Sequence, residues 1–346
     1  LQVSFNQSIF PTETPVPTPT LGDPDPTEVE NYDPSTTNLH DIFVDGNYVY
    51  LVGGFADNLL ILDVSDPTNP QELADFEPGE STLNWTSDVF VVDNYAYVTG
   101  TDSSNLIILD VADPSNPQQV ANYDPGTSTL EFAKEVFVDG NYAYVTGMGS
   151  DNLIILDVAD PSNPQQVANY DPGTVILDSP SEVFVANGYA YVAGRMSNNL
   201  IILDVADPSN PQLENDFHLR MIFPDDLYVS GDHVYAAGAC SDNLHIVNVA
   251  DPTNPQEAAY YDPGLSVLDC ANDIFVKDNY AYVTGYSSNN LLILDVTDPS
   301  NPQIVENYQP DTSVINGPNR IFVDEDYVYL TGEDSDNLLI LDLYPD

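Results

Sequence analysis

Apolar and polar residues alternate along this chain in short runs, and the runs return at a fixed interval. The segment Asp88-Val89-Phe90-Val91 recurs at Asp41, Glu135, Glu182, Asp226, Asp273 and Arg320, with successive spacings of 47, 47, 47, 44, 47 and 47 residues. A second marker, Asn105-Leu106-Ile107-Ile108-Leu109-Asp110, restarts at Asn58, Asn152, Asn199, Asn243, Asn290 and Asn337 with the same spacings. Seven copies in one register make internal repetition the organising fact of the sequence.

Each copy predicts four short strands. Strand a is the Val-Phe-Val run, closed by a tight turn such as Asp139-Gly140-Asn141. Strand b alternates, as in Tyr142-Ala143-Tyr144-Val145, and strand c is the continuous apolar run Leu153-Ile154-Ile155-Leu156, which reads as buried on both faces. Asp160-Pro161-Ser162-Asn163-Pro164 breaks the chain before strand d, Gln166-Val167-Ala168-Asn169-Tyr170. No helical period appears. Four-stranded units of this length, repeated in this number, predict an all-β, seven-bladed β-propeller.

The ends of the chain agree. The last copy stops after strand c, and the missing strand d stands near the other terminus, where Val29-Glu30-Asn31-Tyr32-Asp33-Pro34 matches Val120-Ala121-Asn122-Tyr123-Asp124-Pro125. Val29, Asn31 and Tyr32 are therefore expected to close blade seven. Two regions follow: an extended arm, residues 1–25, and the propeller, residues 26–346. The strand Leu106-Ile107-Ile108-Leu109-Asp110 and its continuation Val111-Ala112-Asp113-Pro114-Ser115-Asn116-Pro117 resemble the repeat of the LVIVD β-propellers. That resemblance covers about residues 26 to 346. It implies the fold and a secreted or surface-attached microbial setting, and leaves the activity open.

Composition narrows the function. Fifty-six acidic residues against five basic ones give a formal charge of −51. This excludes an ordinary nucleic-acid binder, which needs a basic face, and argues against anionic lipid. With 42% hydrophobic residues and 22 tyrosines the chain folds rather than remaining a solvated coil. No apolar run is long enough to insert in a membrane. Leu1 at the start is what an exported chain shows once its signal is removed, and an acidic, lysine-poor surface suits an ion-rich exterior. The expected location is extracellular.

Candidate chemistry is sparse. Tyr48, Tyr95, Tyr142, Tyr189, Tyr280 and Tyr327 share a register, with His233 in blade five, and read as packing between blades. Asp41, Asp88, Glu135, Glu182, Asp226 and Asp273 are set to encircle the channel with Arg320 as seventh member. They form either a cation site, for Ca2+ or another counter-cation, or a set of caps on backbone N–H groups. Departures from the repeat point to the face made by the d–a and b–c loops. Lys134, Arg220 and Arg320 lie at d–a crossings and Arg195 in a b–c loop, with Trp85, Phe132 and Phe223 in the same loops. These residues make a binding face for a protein or glycan partner, or a packed cover over the channel. Cys240 and Cys270 fall on that face, placed either for a disulfide or as free thiols. The four histidines lack metal-ligand spacing, and no catalytic motif is evident, so no enzyme and no cofactor are expected. Sequons at Asn6 and Asn84 permit N-glycosylation.

The arm begins with the alternating Leu1-Gln2-Val3-Ser4-Phe5-Asn6 and continues into a Pro/Thr stretch. That stretch suits polyproline II, extending at about 3.1 Å per residue. It reads as a solvated stalk or as a leash carrying a strand to another molecule. On the second reading Leu1, Val3, Phe5, Ile9 and Phe10 anchor the arm to the blade edge of a neighbouring copy. Such a contact is head-to-tail and builds a filament or ring. The expected function is a self-assembling structural subunit. The alternative is a monomeric adhesin or glycan- or calcium-binding propeller that uses its loop face.

Overall fold

The computed structural model describes residues 23–35, 38–79, 82–239 and 242–345. These residues form twenty-eight strands, β1 to β28 in chain order, and no helix. The strands group into seven separate four-stranded antiparallel sheets. Blade one is β2 (Leu39–Asp45), β3 (Tyr48–Gly53), β4 (Asn58–Asp63) and β5 (Gln71–Phe76), giving strands a, b, c and d in that order, and five further blades repeat it. Blade seven is composite. β26 (Pro318–Asp324), β27 (Tyr327–Gly332) and β28 (Asn337–Asp342) come from the C-terminal end, and β1 (Thr27–Tyr32) supplies the fourth strand. Thr27 pairs with Asp342 and Tyr32 with Leu338, so the circle closes as the sequence predicts. Asn31 reinforces the seam through hydrogen bonds to Asn337 and to the carbonyl of Val314.

Local sequence explains the elements. Strand c carries Leu and Ile on both faces because both faces are covered, and Leu153 to Leu156 are fully buried. Strand d is the outer strand, half exposed, and it carries a bulge near its middle in each blade, as at Ile155/Leu156 opposite it in blade three. The a–b turns place Gly46, Asp93, Gly140, Asn187, Gly231, Asp278 and Glu325 at positive φ. Gly, Asn and Asp tolerate that conformation best, and Glu325 is the one departure.

Adjacent blades bury their apolar faces against each other; Tyr50, Val52 and Ile61 of blade one meet Val89, Val91 and Ile107 of blade two. The tyrosines that open strand b are only half buried. The deeper members are two residues on, Tyr50, Tyr97, Tyr144, Tyr191, Tyr235, Tyr282 and Tyr329. Both sets pack between blades.

Two side-chain devices repeat around the ring. The residue ending each b–c loop accepts the backbone N–H of the residue that leads into strand a of the next blade. In blade three Asp151 Oδ1 takes the N–H of Ser179 at 2.8 Å, and Asp57, Ser104, Asn198, Asp242, Asn289 and Asp336 do the same for Trp85, Phe132, Phe223, Cys270, Gly317 and Asn38. The asparagine opening strand c is a second clamp. Asn152 Nδ2 donates to the Thr129 carbonyl at 2.7 Å and to Asn169 Oδ1 at 2.8 Å, tying the loop and strand d to strand c. This is why each copy of the marker begins with Asn.

Candidate functional site

The channel through the ring has three levels, because strand a runs along it and its alternate residues face inward. At the upper level stand Asp41, Asp88, Glu135, Glu182, Asp226, Asp273 and Arg320, one per blade. A register irregularity at the head of each strand a, as between Leu39 and Asp41, re-aims this position. Four of the aspartates cap a neighbouring blade. Asp41 Oδ2 accepts the N–H of Val89 at 3.0 Å, Asp88 that of Val136, Asp226 that of Ile274 and Asp273 that of Ile321, each of the last three at 2.7 Å. Glu182 bonds the N–H of Val183 beside it at 3.1 Å.

Six acids this close do not all ionise. Burial, then the Asp88 carboxyl, holds Asp41 well above the usual carboxylate range; burial, then Glu135, does so for Asp88 and for Glu182; burial, then Asp226, does so for Asp273. Burial raises Glu135 to about 7, opposed by its hydrogen bond with Asp88 and by Lys134. The carboxyl groups of Asp41 and Asp88, of Asp88 and Glu135, and of Asp226 and Asp273 stand within hydrogen-bonding reach of each other. Arg320 stands between Asp273 and Asp41 in the ring, its Nε 3.6 Å from Asp41 Oδ1. Burial opposes its charge, yet Asp273 and Asp41 outweigh burial and raise its pKa further. Arg320 thus belongs to the channel wall, with 14% of its side chain exposed, rather than to the loop-face binding surface.

Below the acids lies a closed aromatic ring: Phe43, Phe90, Phe137, Phe184, Tyr228, Phe275 and Phe322. Neighbouring centroids are 4.8–5.1 Å apart and neighbouring planes meet at 41–59°. One seventh of a turn is about 51°, so the ring planes stand parallel to the channel axis. Rings set side by side at that spacing would overlap, so they fan like pages, each face on its neighbour. Their edges, and the Tyr228 hydroxyl, point toward the axis. That hydroxyl has no hydrogen-bond partner among the described residues.

The lower level is an open funnel of about 870 Å3. Its inward register reads Asp45, Val92, Asp139, Ala186, Ser230, Lys277 and Asp324, with Asp93 and Asp278 added by the a–b turns. Burial, then Asp324 and Asp93, raises the Asp45 pKa, and burial raises that of Asp139. Lys277 Nζ donates to the carbonyl of Glu325 at 3.2 Å. Nothing in the repeat pattern hints at this cavity. Its lining varies from blade to blade, and its width depends on seven sheets closing into a ring.

On the loop face the cations are engaged with the protein. Lys134 Nζ donates to Ser87 Oγ at 2.9 Å. Arg195 Nε lies 2.6 Å from Asp225 Oδ1, with its guanidinium over Phe223. Arg220 pairs with Glu257 at 3.0 Å and covers Tyr260. In blade five the shortened d–a loop is compensated by His245, fully buried, whose Nε2 is 3.0 Å from Glu257 Oε2 and whose Nδ1 accepts the N–H of Arg220. Trp85 packs between Phe55, at 4.9 Å, and His40, at 5.3 Å. Burial pulls His40 down to about 4, and its Nδ1 is 2.8 Å from the Thr86 carbonyl.

Among the described residues, the large apolar side chains more than half exposed are Phe55, Val175, Met196, Ile222 and Leu265, and all five lie in these loops. Asp242, Asp269 and Cys270 bring ligand atoms within 4.8 Å of one another on the same face. The pairing of Cys240 with Cys270 falls outside the described residues, as do the arm residues Leu1, Val3, Phe5, Ile9 and Phe10 and the sequon at Asn6. In the second sequon the Thr86 hydroxyl is buried and donates to the Gly53 carbonyl at 2.6 Å.

Residues 38–77, 85–125, 132–172, 179–218, 224–263 and 270–310 match the LVIVD repeat. The chain belongs to the LVIVD-repeat family. The seventh copy goes unmatched because its four strands are split between the two ends of the chain. No protein of curated function matches this sequence. Among solved structures, streptogramin B lyase superposes with a TM-score of 0.71 at 15% identity, covering 91% of this chain and 97% of that one. The hydrazine synthase of Kuenenia stuttgartiensis gives 0.70 at 13% identity, covering 91% and 98%. The WD40 propeller of Doa1 gives 0.70 at 8% identity, covering 92% and 97%. Likeness at these identities is a likeness of fold.

Proposed function

We propose that this protein is a non-enzymatic, extracellular structural subunit whose copies assemble head to tail, the arm of residues 1–25 adding a strand to a blade of the next copy. One observation carries the reading: the chain enters the propeller on the face opposite its exposed apolar loops. Tyr280, at an a–b turn, donates to Asp23 Oδ1 at 3.2 Å, and the N–H of Asp25 donates to the Leu343 carbonyl at 2.9 Å, before β1 runs toward the loop face. An arm on one face and an apolar patch on the other make a heterologous contact, which propagates instead of closing on a pair. The outer strands supply free edges for such an arm. At −51 per copy the subunits repel, so salt or Ca2+ is needed for them to approach. The histidines also favour a non-enzymatic reading: His40 and His245 are tied into internal hydrogen bonds, and none of the four lines the funnel.

The exposed Phe55 beside Trp85 favours a second reading, a monomeric adhesin or glycan receptor working from the loop face. Sedimentation velocity and electron microscopy of the full chain and of a chain lacking residues 1–20 separate the two. Self-assembly requires polymers from the full chain at about 0.15 M salt and folded monomers from the shortened one, which keeps Asp23 and Asp25. Monomers from both, with glycan binding lost in Trp85→Ala, establish the receptor instead.

A further inference from the structure

The loop face and the arm leave the lower funnel without a role, and its walls are built unevenly. Blades seven, one, two and three contribute Asp324, Asp45, Asp93 and Asp139, an unbroken acidic arc. Across the axis blade five presents the hydroxyls of Ser230 and Tyr228, and Lys277 and Asp278 of blade six flank them. The rim between is hydrocarbon, formed by the inward edges of the phenylalanines.

We propose that this funnel is a binding site for a small organic ammonium ion, with its charge on the acidic arc and its carbon body on the aromatic rim. Size supports a molecule over a bare metal ion. The cavity of about 870 Å3 lies in the range of small-molecule sites, whereas the funnel's carboxylates do not converge. Among the described residues the group whose ligand atoms come within 4.8 Å of one another is Asp242, Asp269 and Cys270, on the opposite face. Sign supports a cation, because the acids outnumber the one lysine and that lysine is turned to the carbonyl of Glu325.

The Tyr228 hydroxyl adds polarity to the site. Six blades carry Phe at this register and need no hydroxyl to pack, yet blade five aims one at the axis. It is placed to meet a polar group at the far end of the ligand, opposite the arc. Repeat logic agrees, since a position that packing controls keeps one residue type around the ring. The register of Asp45 instead runs through Asp, Val, Ala, Ser and Lys.

Titration calorimetry of the full chain at about 0.15 M salt tests the proposal with n-butylammonium as the free amine and Nα-acetyl-lysine amide as the same group on a peptide. One saturable site for either probe is expected. Asp45→Asn/Asp324→Asn should weaken it at least tenfold, Val92→Trp, at a position that lines the cavity, should block it, and Tyr228→Phe should weaken a probe bearing a terminal hydroxyl, 4-aminobutanol, more than n-butylammonium. The control Asp102→Asn/Asp262→Asn removes two exposed acids from the loop face and should leave binding unchanged. Equal weakening by the control, or uptake that does not saturate, means diffuse attraction to an acidic surface and overturns the site. Circular dichroism of each variant confirms the fold before titration. The outcome is independent of whether the subunits polymerise.

Discussion

The two ends of the channel are built from the same seven strands and differ in kind. At the upper end one position is acidic in six blades and arginine in the seventh, and its groups engage backbone N–H groups, each other or Arg320. At the lower end, four residues further along each strand, the register changes from blade to blade and the walls stand apart around open space. A repeat that holds one chemistry at one position is solving a packing problem seven times. A repeat that lets the position vary has been released from that problem. The upper ring reads as structure and the lower funnel as a place for a ligand, although a first look at the carboxylates suggests the reverse.

The sharpest way to break this comparison is to remove the layer that divides the two ends. Phe137→Ala takes one page from the aromatic fan, where Phe137 is 7% exposed and touches rings on both sides. A loss of about 3 kcal/mol is expected, read as a lowered urea midpoint with an unchanged slope. A loss below about 1 kcal/mol would show that the fan is not a packed layer.

A smaller effect comes from pH. Asp41, Asp88, Glu182 and Asp273 hold protons that the unfolded chain gives up above about pH 4, and Glu135 holds its proton to about 7. The folded state binds more protons over this window. The contribution of the ring is therefore complete below the unfolded pKa values and is lost as pH rises through the raised ones. Stability should fall from pH 5 to pH 8 by on the order of 2 kcal/mol, and Glu135→Gln should flatten the part near pH 7. Repeating the series in about 0.5 M salt separates the ring from the charged surface, because buried groups are screened less. A slope that salt abolishes would place the effect on the surface.

The sequence made the ring legible and left the funnel hidden, for the same physical reason. Periodicity exposes whatever each copy must repeat, including the strands, the split blade closed by Val29 to Tyr32, the inward acids and the Asn that opens strand c. The role of that Asn was not legible, because its partners Thr129 and Asn169 lie in other elements of its blade. The repeat locates Lys134, Arg195 and Arg220 in or beside the loops, yet their partners Ser87, Asp225 and Glu257 come from elements far along the chain. Arg320 was readable as a ring member from its register and misread as a surface charge from its loop. The funnel has no repeating signal, and only the closed circle of sheets creates it.

Two variants measured side by side test the central contrast most directly. Urea unfolding at pH 8 of Arg320→Leu and of Asp45→Asn/Asp324→Asn strikes one charged group at the upper end and two at the lower. The expected result is a loss on the order of 3 kcal/mol for Arg320→Leu, which strands buried carboxylates without their counter-charge. The lower pair should change stability by less than about 0.5 kcal/mol or raise it, since it removes like charges. If the lower pair destabilises the fold as much as Arg320→Leu does, the funnel walls are structural and the distinction between the two ends is wrong.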